Sequence, residues 1–321
     1  MSNQFEFFSK YLLDRKHVSD LKIIFNKDSE AIFRLISKPQ YKRFFIAKKD
    51  GTKRIILAPD TELKKAQTLL SNILQNIYLE HRPDYVYGFI PNYKNQSVSV
   101  VSNAANHVQK KFLLNADVQD FFPSITSRMV KEMFENTLNL PEQLSSALAL
   151  LVTYQGKLPQ GSPASPVISN LVFLKTDKAI KDFCNDFKIT YTRYADDLSF
   201  STNIDSFENQ YPFFLSEIKN ILKKDGYSVN EKKVFFRTQK QRMKVTGIKV
   251  NEKLNVDTAY RKQTRAMRHD LKKNGLRKAA TNYFAKWRPG EMVSGKLFIE
   301  ILRGREAWER EVRRGRGIKK F

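Results

Sequence analysis

The chain has 321 residues, 41% of them hydrophobic, enough to build one large domain or a few packed subdomains around a sizeable core. It carries 57 Lys+Arg against 33 Asp+Glu, a formal charge of +24, which argues against an ordinary small-molecule enzyme and for a polyanion partner, most commonly nucleic acid. No apolar run of about 18 residues exists to cross a membrane, and the single Cys184 excludes an internal disulfide or a cysteine-based zinc site.

The N-terminus, with Glu6 among aromatics, lacks the apolar run of a signal peptide, so a reducing cytoplasm is expected. Residues 1–40 read as two or three short helices, with Phe5, Phe8, Leu12 and Leu13 on one stripe and Leu21, Ile24 and Phe25 on another. Tyr41 to Pro59 reads as a hairpin turning at Asp50-Gly51. Lys53 and Arg54 on its second strand make either a solvated basic face or a clamp on nucleotide phosphates, for which arginine offers a two-pronged fork. Asp60 caps a helix to about Glu80, and a further helix runs through Asn103–His107.

Lys111 to Asp117 is an apolar strand ending on a carboxylate. Asp117 directly follows the apolar run and is the better metal ligand; Asp120 fits a turn or a place beside substrate. Phe121 and Phe122 are either core or the wall of a nucleotide's sugar, where a ring excludes the 2′-OH that separates RNA from DNA precursors. Helices are expected over about 126–138 and 142–154, broken at Asn139-Leu140-Pro141. Leu158-Pro159-Gln160-Gly161 opens a proline-rich loop, and Ser162 or Ser165 then caps one long helix to about Phe187. A glycine beside a glutamine lets backbone and amide approach a flat ligand such as a base pair.

Ile189 to Ser201 reads as strand, tight turn and strand, with Asp196 and Asp197 at the turn. Alone, an Asp-Asp turn is a solvated turn. With Asp117 on a paired strand it becomes three carboxylates that repel one another unless a cation lies between them. A hard cation such as Mg²⁺ takes oxygen ligands and keeps positions for phosphates, so three acids suffice for two-metal phosphoryl transfer. A helix over Phe207–Lys224 and a strand at Tyr227–Asn230 follow. Lys233 is either solvated or placed to protonate a leaving pyrophosphate. Lys244–Val250 is expected to pair with Leu254–Val256 over Asn251-Glu252. From Arg261 to Phe321 there are 19 Lys+Arg and 6 Asp+Glu, over half of the excess charge in the last fifth of the chain. Apolar residues at helical spacing there, Tyr283, Phe284 and Phe298 among them, make it a basic helical subdomain and not a disordered tail.

The order Lys53-Arg54, Asp117 to Phe122, Leu158-Pro159-Gln160-Gly161, Tyr194-Ala195-Asp196-Asp197 and Lys233 resembles that of reverse transcriptases. Asn103-Ala104-Ala105-Asn106-His107 and Val245-Thr246-Gly247 resemble the Asn-Ala-x-x-His and Val-Thr-Gly signatures of the bacterial retron branch. The resemblance runs from about Tyr41 to Val256. It implies an α+β right-hand polymerase: an N-terminal helical extension (1–40), fingers (41–110 with part of 125–165), a palm with an antiparallel sheet (111–124 and 166–256) and a short basic helical thumb (257–321).

By position, the resemblance implies that Asp117, Asp196, Asp197 and the Val118 carbonyl hold two Mg²⁺. Lys53 and Arg54 would contact the incoming dNTP, Phe122 would gate against ribonucleotides, and Gln160 and Gly161 would border nucleotide and template. Lys233 would be the general acid, although Val234 follows it where related sequences often carry Thr. The 245–256 hairpin would grip the primer. Retron enzymes copy part of a cognate structured noncoding RNA into branched, RNA-linked DNA (msDNA), primed from a guanosine 2′-OH, in anti-phage defence with an effector or accessory protein. RNA recognition would fall to Asn103, His107, Arg261, Arg265, Arg268, Lys272 and Lys273. The alternatives are a group II-like or diversity-generating reverse transcriptase, and a noncatalytic RNA-binding scaffold on the same fold.

Overall fold

The computed structural model describes residues 3–47, 51–91 and 98–315. Asp50 of the expected turn, residues 1–2 of the extension and residues 316–321 of the expected thumb lie outside the described residues. The N-terminal segment forms α1 (Asn3–Leu13), α2 (Leu21–Phe25) and α3 (Ser29–Ser37). Leu12, Leu21, Ile24 and Ile32 on these helices join the main core. β1 (Tyr41–Ala47) and β2 (Lys53–Pro59) make the expected hairpin. α4 (Thr61–His81) starts where Asp60 accepts a hydrogen bond from the Leu63 N–H, and its apolar stripe is buried as its spacing requires. α5 (Val100–Ala105) is capped by Ser99 and stops short of His107.

After β3 (Phe112–Asp117) come α6 (Phe121–Ser124), α7 (Ser127–Glu132) and α8 (Glu142–Val152). The one long helix expected next is two, α9 (Ser165–Val172) and α10 (Leu174–Asp186). They part at Phe173, whose buried ring packs 5.4 Å from Phe121 and 4.7 Å from Tyr227. Neither serine caps α9 in the expected way. Ser162 donates to Gln67 and Ser165 to the Pro159 carbonyl, which ties the proline-rich loop to the core.

β4 (Thr190–Tyr194), β5 (Asp197–Thr202), α11 (Phe207–Lys224) and β6 (Phe235–Thr238) complete the central unit. The sheet is antiparallel throughout, in the order β4-β5-β3-β6. The strand expected at Tyr227–Asn230 is a single bridge from Val229 to Val118; the fourth strand is β6. The expected last hairpin is kept as one antiparallel bridge, Lys249 to Asn255, and a tighter turn precedes it. β7 (Lys244–Val245) and β8 (Ile248–Lys249) turn at Thr246-Gly247, with φ of 47° and 81°, the pair of left-handed residues that a tight hairpin demands. Asn251 donates back to the Gln239 and Gln241 carbonyls, which ties down the loop before β7. α12 (Thr258–Trp287) breaks at Gly275, and α13 (Gly295–Arg314) packs back on it through Met267, Ala279, Phe284, Phe298 and Leu302. Among the described residues no helix is long and apolar enough to cross a membrane.

Strand alternation decides where the acids go. Phe112, Leu114 and Ala116 of β3 and Leu198 and Phe200 of β5 enter the main core. The alternate residues Asn115, Asp117, Asp197 and Ser199 therefore share the opposite face, where they line a cleft. A slip of one residue would exchange these sets, so burial of the phenylalanines and leucines is what presents the carboxylates.

Candidate active site

Strand register brings Asp117 and Asp197 together, and the turn adds Asp196. Asp117 stands directly opposite Asp197 in the β3–β5 pair, and the Val118 N–H donates to the Asp196 carbonyl at 2.9 Å. One oxygen from each of Asp117, Asp196 and Asp197 lies within 4.8 Å of the others. The hairpin turn between Tyr194 and Asp197 is made by Ala195 at φ 57°, an uncommon conformation for a residue with a β-carbon. Gly88 packs against that turn so closely that a β-carbon there would lie 2.2 Å from the Ala195 nitrogen.

Crowding these groups perturbs them. Burial, then the Asp117 charge, raises the pKa of Asp196. Asp197 opens onto the cleft yet is ringed by protein; that desolvation, with the charges of Asp196 and Asp117, pushes it up to about 6. Lys233 Nζ donates to Asp117 Oδ2 at 2.7 Å. Desolvation opposes the lysine's charge, and Asp117 outweighs it to raise the lysine pKa. A single ammonium does not balance three carboxylates. Clustered oxygen donors with excess negative charge, open on one side, fit a hard divalent cation.

A pH dependence follows. The folded pKa of Asp197 lies above the ordinary carboxylate value, so the metal-free fold binds a proton more readily than the unfolded chain. This contribution to metal-free stability is lost as pH rises through about 6, and below that pH protons compete with metal. The rise in melting temperature produced by Mg²⁺ should shrink as pH is lowered from about 7 to about 5. Thermal melts with and without the ion check this.

The cleft in front of Asp117 and Asp197 has a volume of about 530 Å³, and Lys233, Arg237, Arg242 and Lys244 give it a basic wall ending at Thr246-Gly247. Gln160 and Gly161 dock on β2: the Gln160 carbonyl accepts from the Leu57 N–H at 2.7 Å, and a β-carbon on Gly161 would meet the Leu57 carbonyl at 2.6 Å. Arg54 shares a ribbon face with Ile56, which borders Gly161, and its charge reaches Asp196. Lys53 does not join it. Alternation turns Lys53 to the other face, with Nζ 5.9 Å from the Phe45 ring. Phe122 is half-buried, five residues beyond Asp117, with its ring 5.7 Å from Phe89.

Asn103 and His107 are not at an RNA-accessible surface. They are 1% and 0% exposed, and a buried side chain offers nothing to a polyanion. The His107 ring nitrogens lie 2.7 Å from the Ser201 and Thr192 hydroxyls, which ties it to β5 and β4. Desolvation pushes its pKa down to about 3, so the ring is neutral. The Thr246 hydroxyl donates to the Val100 carbonyl at 3.0 Å, so the segment from Val100 to His107 bonds the last hairpin as well. On α12, Arg265, Lys272 and Lys273 are exposed, and Arg268 pairs with Glu306 at 2.7 Å. Arg261 is half-buried. Gly88 had no signal in the sequence: only the approach of two distant segments shows the need for it.

A family model described as reverse transcriptase (RNA-dependent DNA polymerase) matches residues 46–250. The chain is 34% identical over 237 residues to the retron Ec86 reverse transcriptase of Escherichia coli, covering 72% of this chain and 70% of that one. It is 33% identical over 265 residues to the retron Mx162 reverse transcriptase of Myxococcus xanthus, covering 73% of this chain but only 53% of the relative. A solved telomerase from Candida albicans is similar at a TM-score of 0.49 and 13% identity, covering 86% of this chain and 61% of that one. With its antiparallel sheet and its three clustered acids, the chain belongs to the retron reverse transcriptases, a family of RNA-directed DNA polymerases.

Proposed function

We propose that this protein copies part of a cognate structured noncoding RNA into msDNA, using dNTPs and priming from the 2′-OH of an internal guanosine. The carrying observation is the trio Asp117, Asp196 and Asp197, one oxygen of each within 4.8 Å, in a setting of excess negative charge. These acids, with the Val118 carbonyl, would hold two Mg²⁺. When bound, the ions supply a more acidic primer hydroxyl and charge neutralisation at the leaving pyrophosphate.

The chain's own residues do the rest. Arg54 binds the triphosphate oxygens, on the same ribbon face that borders Gly161. Gln160 and Gly161 border the nascent base pair. Lys233, held by Asp117 at 2.7 Å, is the proton donor to pyrophosphate. The basic wall of Arg237, Arg242 and Lys244 receives the primer strand, beside the Val245–Val256 hairpin. Arg265, Lys272 and Lys273 on α12 offer exposed charge to the phosphates of the RNA, with Arg261 and Arg268 near them in sequence. In this reading residues 41–110, with part of 125–165, are fingers; 111–124 and 166–256 are palm; and 257–321 are thumb. The setting is the cytoplasm, in phage defence beside an effector protein.

The test is the product. Nucleic acid purified with the chain, after expression with its flanking DNA, should contain DNA joined to RNA through a 2′,5′ linkage that a debranching enzyme releases. A linear product overturns the branched-priming reading. A second expectation concerns sugar choice. Phe122→Ala should raise ribonucleotide relative to deoxynucleotide incorporation by about 10-fold or more, because the ring leaves no room for a 2′-OH. Single-nucleotide extension with matched rNTP and dNTP measures it.

A further inference from the structure

Beneath the acidic turn lies a polar network that no catalytic step uses. Arg193 and Asp177 are both 0% exposed. Arg193 Nε bonds Asp177 Oδ1 at 2.9 Å, and Nη2 bonds Oδ2 at 2.6 Å. Tyr191 donates its hydroxyl to the same carboxylate at 2.7 Å. The other edge of the guanidinium faces elsewhere: Nη1 donates to the Ala195 carbonyl at 3.0 Å and to Asn170 Oδ1 at 3.1 Å. Asn170 in turn donates to the Gly88 carbonyl at 3.0 Å. The ring of Phe173 lies 4.8 Å from the guanidinium carbon.

We infer that Arg193 is a positioning residue for the reaction, fixing the Asp196-Asp197 turn through the Ala195 carbonyl. The inference rests on the reading that Asp196 and Asp197 hold the metal ions. A buried ion pair kept for stability alone has a cheaper substitute, since well-packed apolar residues of similar volume serve as well. Stability does not account for the second edge. That edge grips the backbone of the left-handed Ala195, adjacent to the first acid and two residues before the second. Gly88 presses on the same turn, and Asn170 ties Gly88 to Arg193. The turn is thus gripped by one planar side chain with both edges engaged, an arrangement the compact ammonium of lysine cannot reproduce.

The full-length protein extends a DNA primer annealed to an RNA template while Mg²⁺ is titrated; RNA binding and melting temperature are measured in parallel. Arg193→Lys should lower kcat and raise the half-saturating Mg²⁺ concentration by about 10- to 100-fold, with RNA affinity unchanged. Asn170→Ala, which leaves the Arg193–Asp177 pair intact, should move both quantities the same way by about 3- to 10-fold. Tyr191→Phe removes a buried bond to Asp177 without touching the turn; it should lower the melting temperature and leave kcat and the Mg²⁺ requirement within about 2-fold. If Arg193→Lys does not fold, Asn170→Ala decides. Variants that melt earlier but keep wild-type kcat and Mg²⁺ requirement overturn the role, as does a Tyr191→Phe effect equal to that of Asn170→Ala. A wild-type protein without metal-dependent synthesis would instead sink the functional reading on which this rests.

Discussion

Replacing Asp196 and Asp197 together by asparagine should abolish primer extension, lowering the rate by about 10³-fold or more, while the protein still folds. The two effects have separate causes. Asparagine keeps the size of the side chain and one oxygen, so the turn and the β4–β5 pairing persist. What it loses is the charge that a divalent cation requires of its ligands. The same charge is a burden on the metal-free fold, because burial and mutual repulsion hold both carboxylates above their ordinary pKa. The double variant should therefore melt no lower than wild type at neutral pH without metal, and should lose the gain that Mg²⁺ gives wild type. Extension assays on an RNA template, paired with thermal melts, read both. Normal synthesis by the variant would remove these residues from the reaction.

The second large effect is expected at a residue with no reactive group. Gly88→Ala should cost about 3 kcal/mol of stability and lower synthesis by about 100-fold, as a displacement near 1 Å at the reacting groups does. Gly88 does not need a left-handed backbone, so the cause is steric alone. An added methyl meets the Ala195 nitrogen at 2.2 Å, and it is backbone, not a flexible side-chain end, that must yield. Gly304→Ala on α13 is the contrast. A β-carbon there meets nothing within 4 Å, and helix propensity predicts a gain of about 0.5–1 kcal/mol. Denaturant melts of both variants with an activity assay test the pair; a Gly88→Ala protein as active as wild type would show that the turn tolerates displacement.

The acid cluster was legible because local rules fix it. A strand ending in Asp117 and a hairpin carrying Asp196 and Asp197 need only pair antiparallel, and the alternation of apolar residues sets the face. Expectation and structure part where tertiary contact overrides local signal. Thr246 is β-branched and ill suited to φ 47°, so nothing local announces the turn at Thr246-Gly247, whereas the pairing across Asn251-Glu252 does form at Lys249 and Asn255. The Thr246 hydroxyl bond to Val100 helps hold its turn there. The helix after the proline-rich loop reads as continuous because nothing in its sequence breaks it; the break comes from seating Phe173 against Phe121 and Tyr227. Lys53 and Arg54 could be assigned together only while the ribbon's orientation was unknown. On its own residues His107 reads as a packed or surface histidine, and it is packed; only the family resemblance implies an RNA contact there, and its partners, Thr192 and Ser201, lie 85 and 94 residues away.

The grip of the Val100–His107 segment on both hairpins bears on how such proteins can be recombined. His107 bonds the strands carrying the acids, and Val100 bonds the turn at Thr246. A chimera that imports Val100–His107 from a distant homologue without the matching 244–250 segment would inherit a mismatched joint. Transplanting the two segments as one cassette is the design that should preserve turnover.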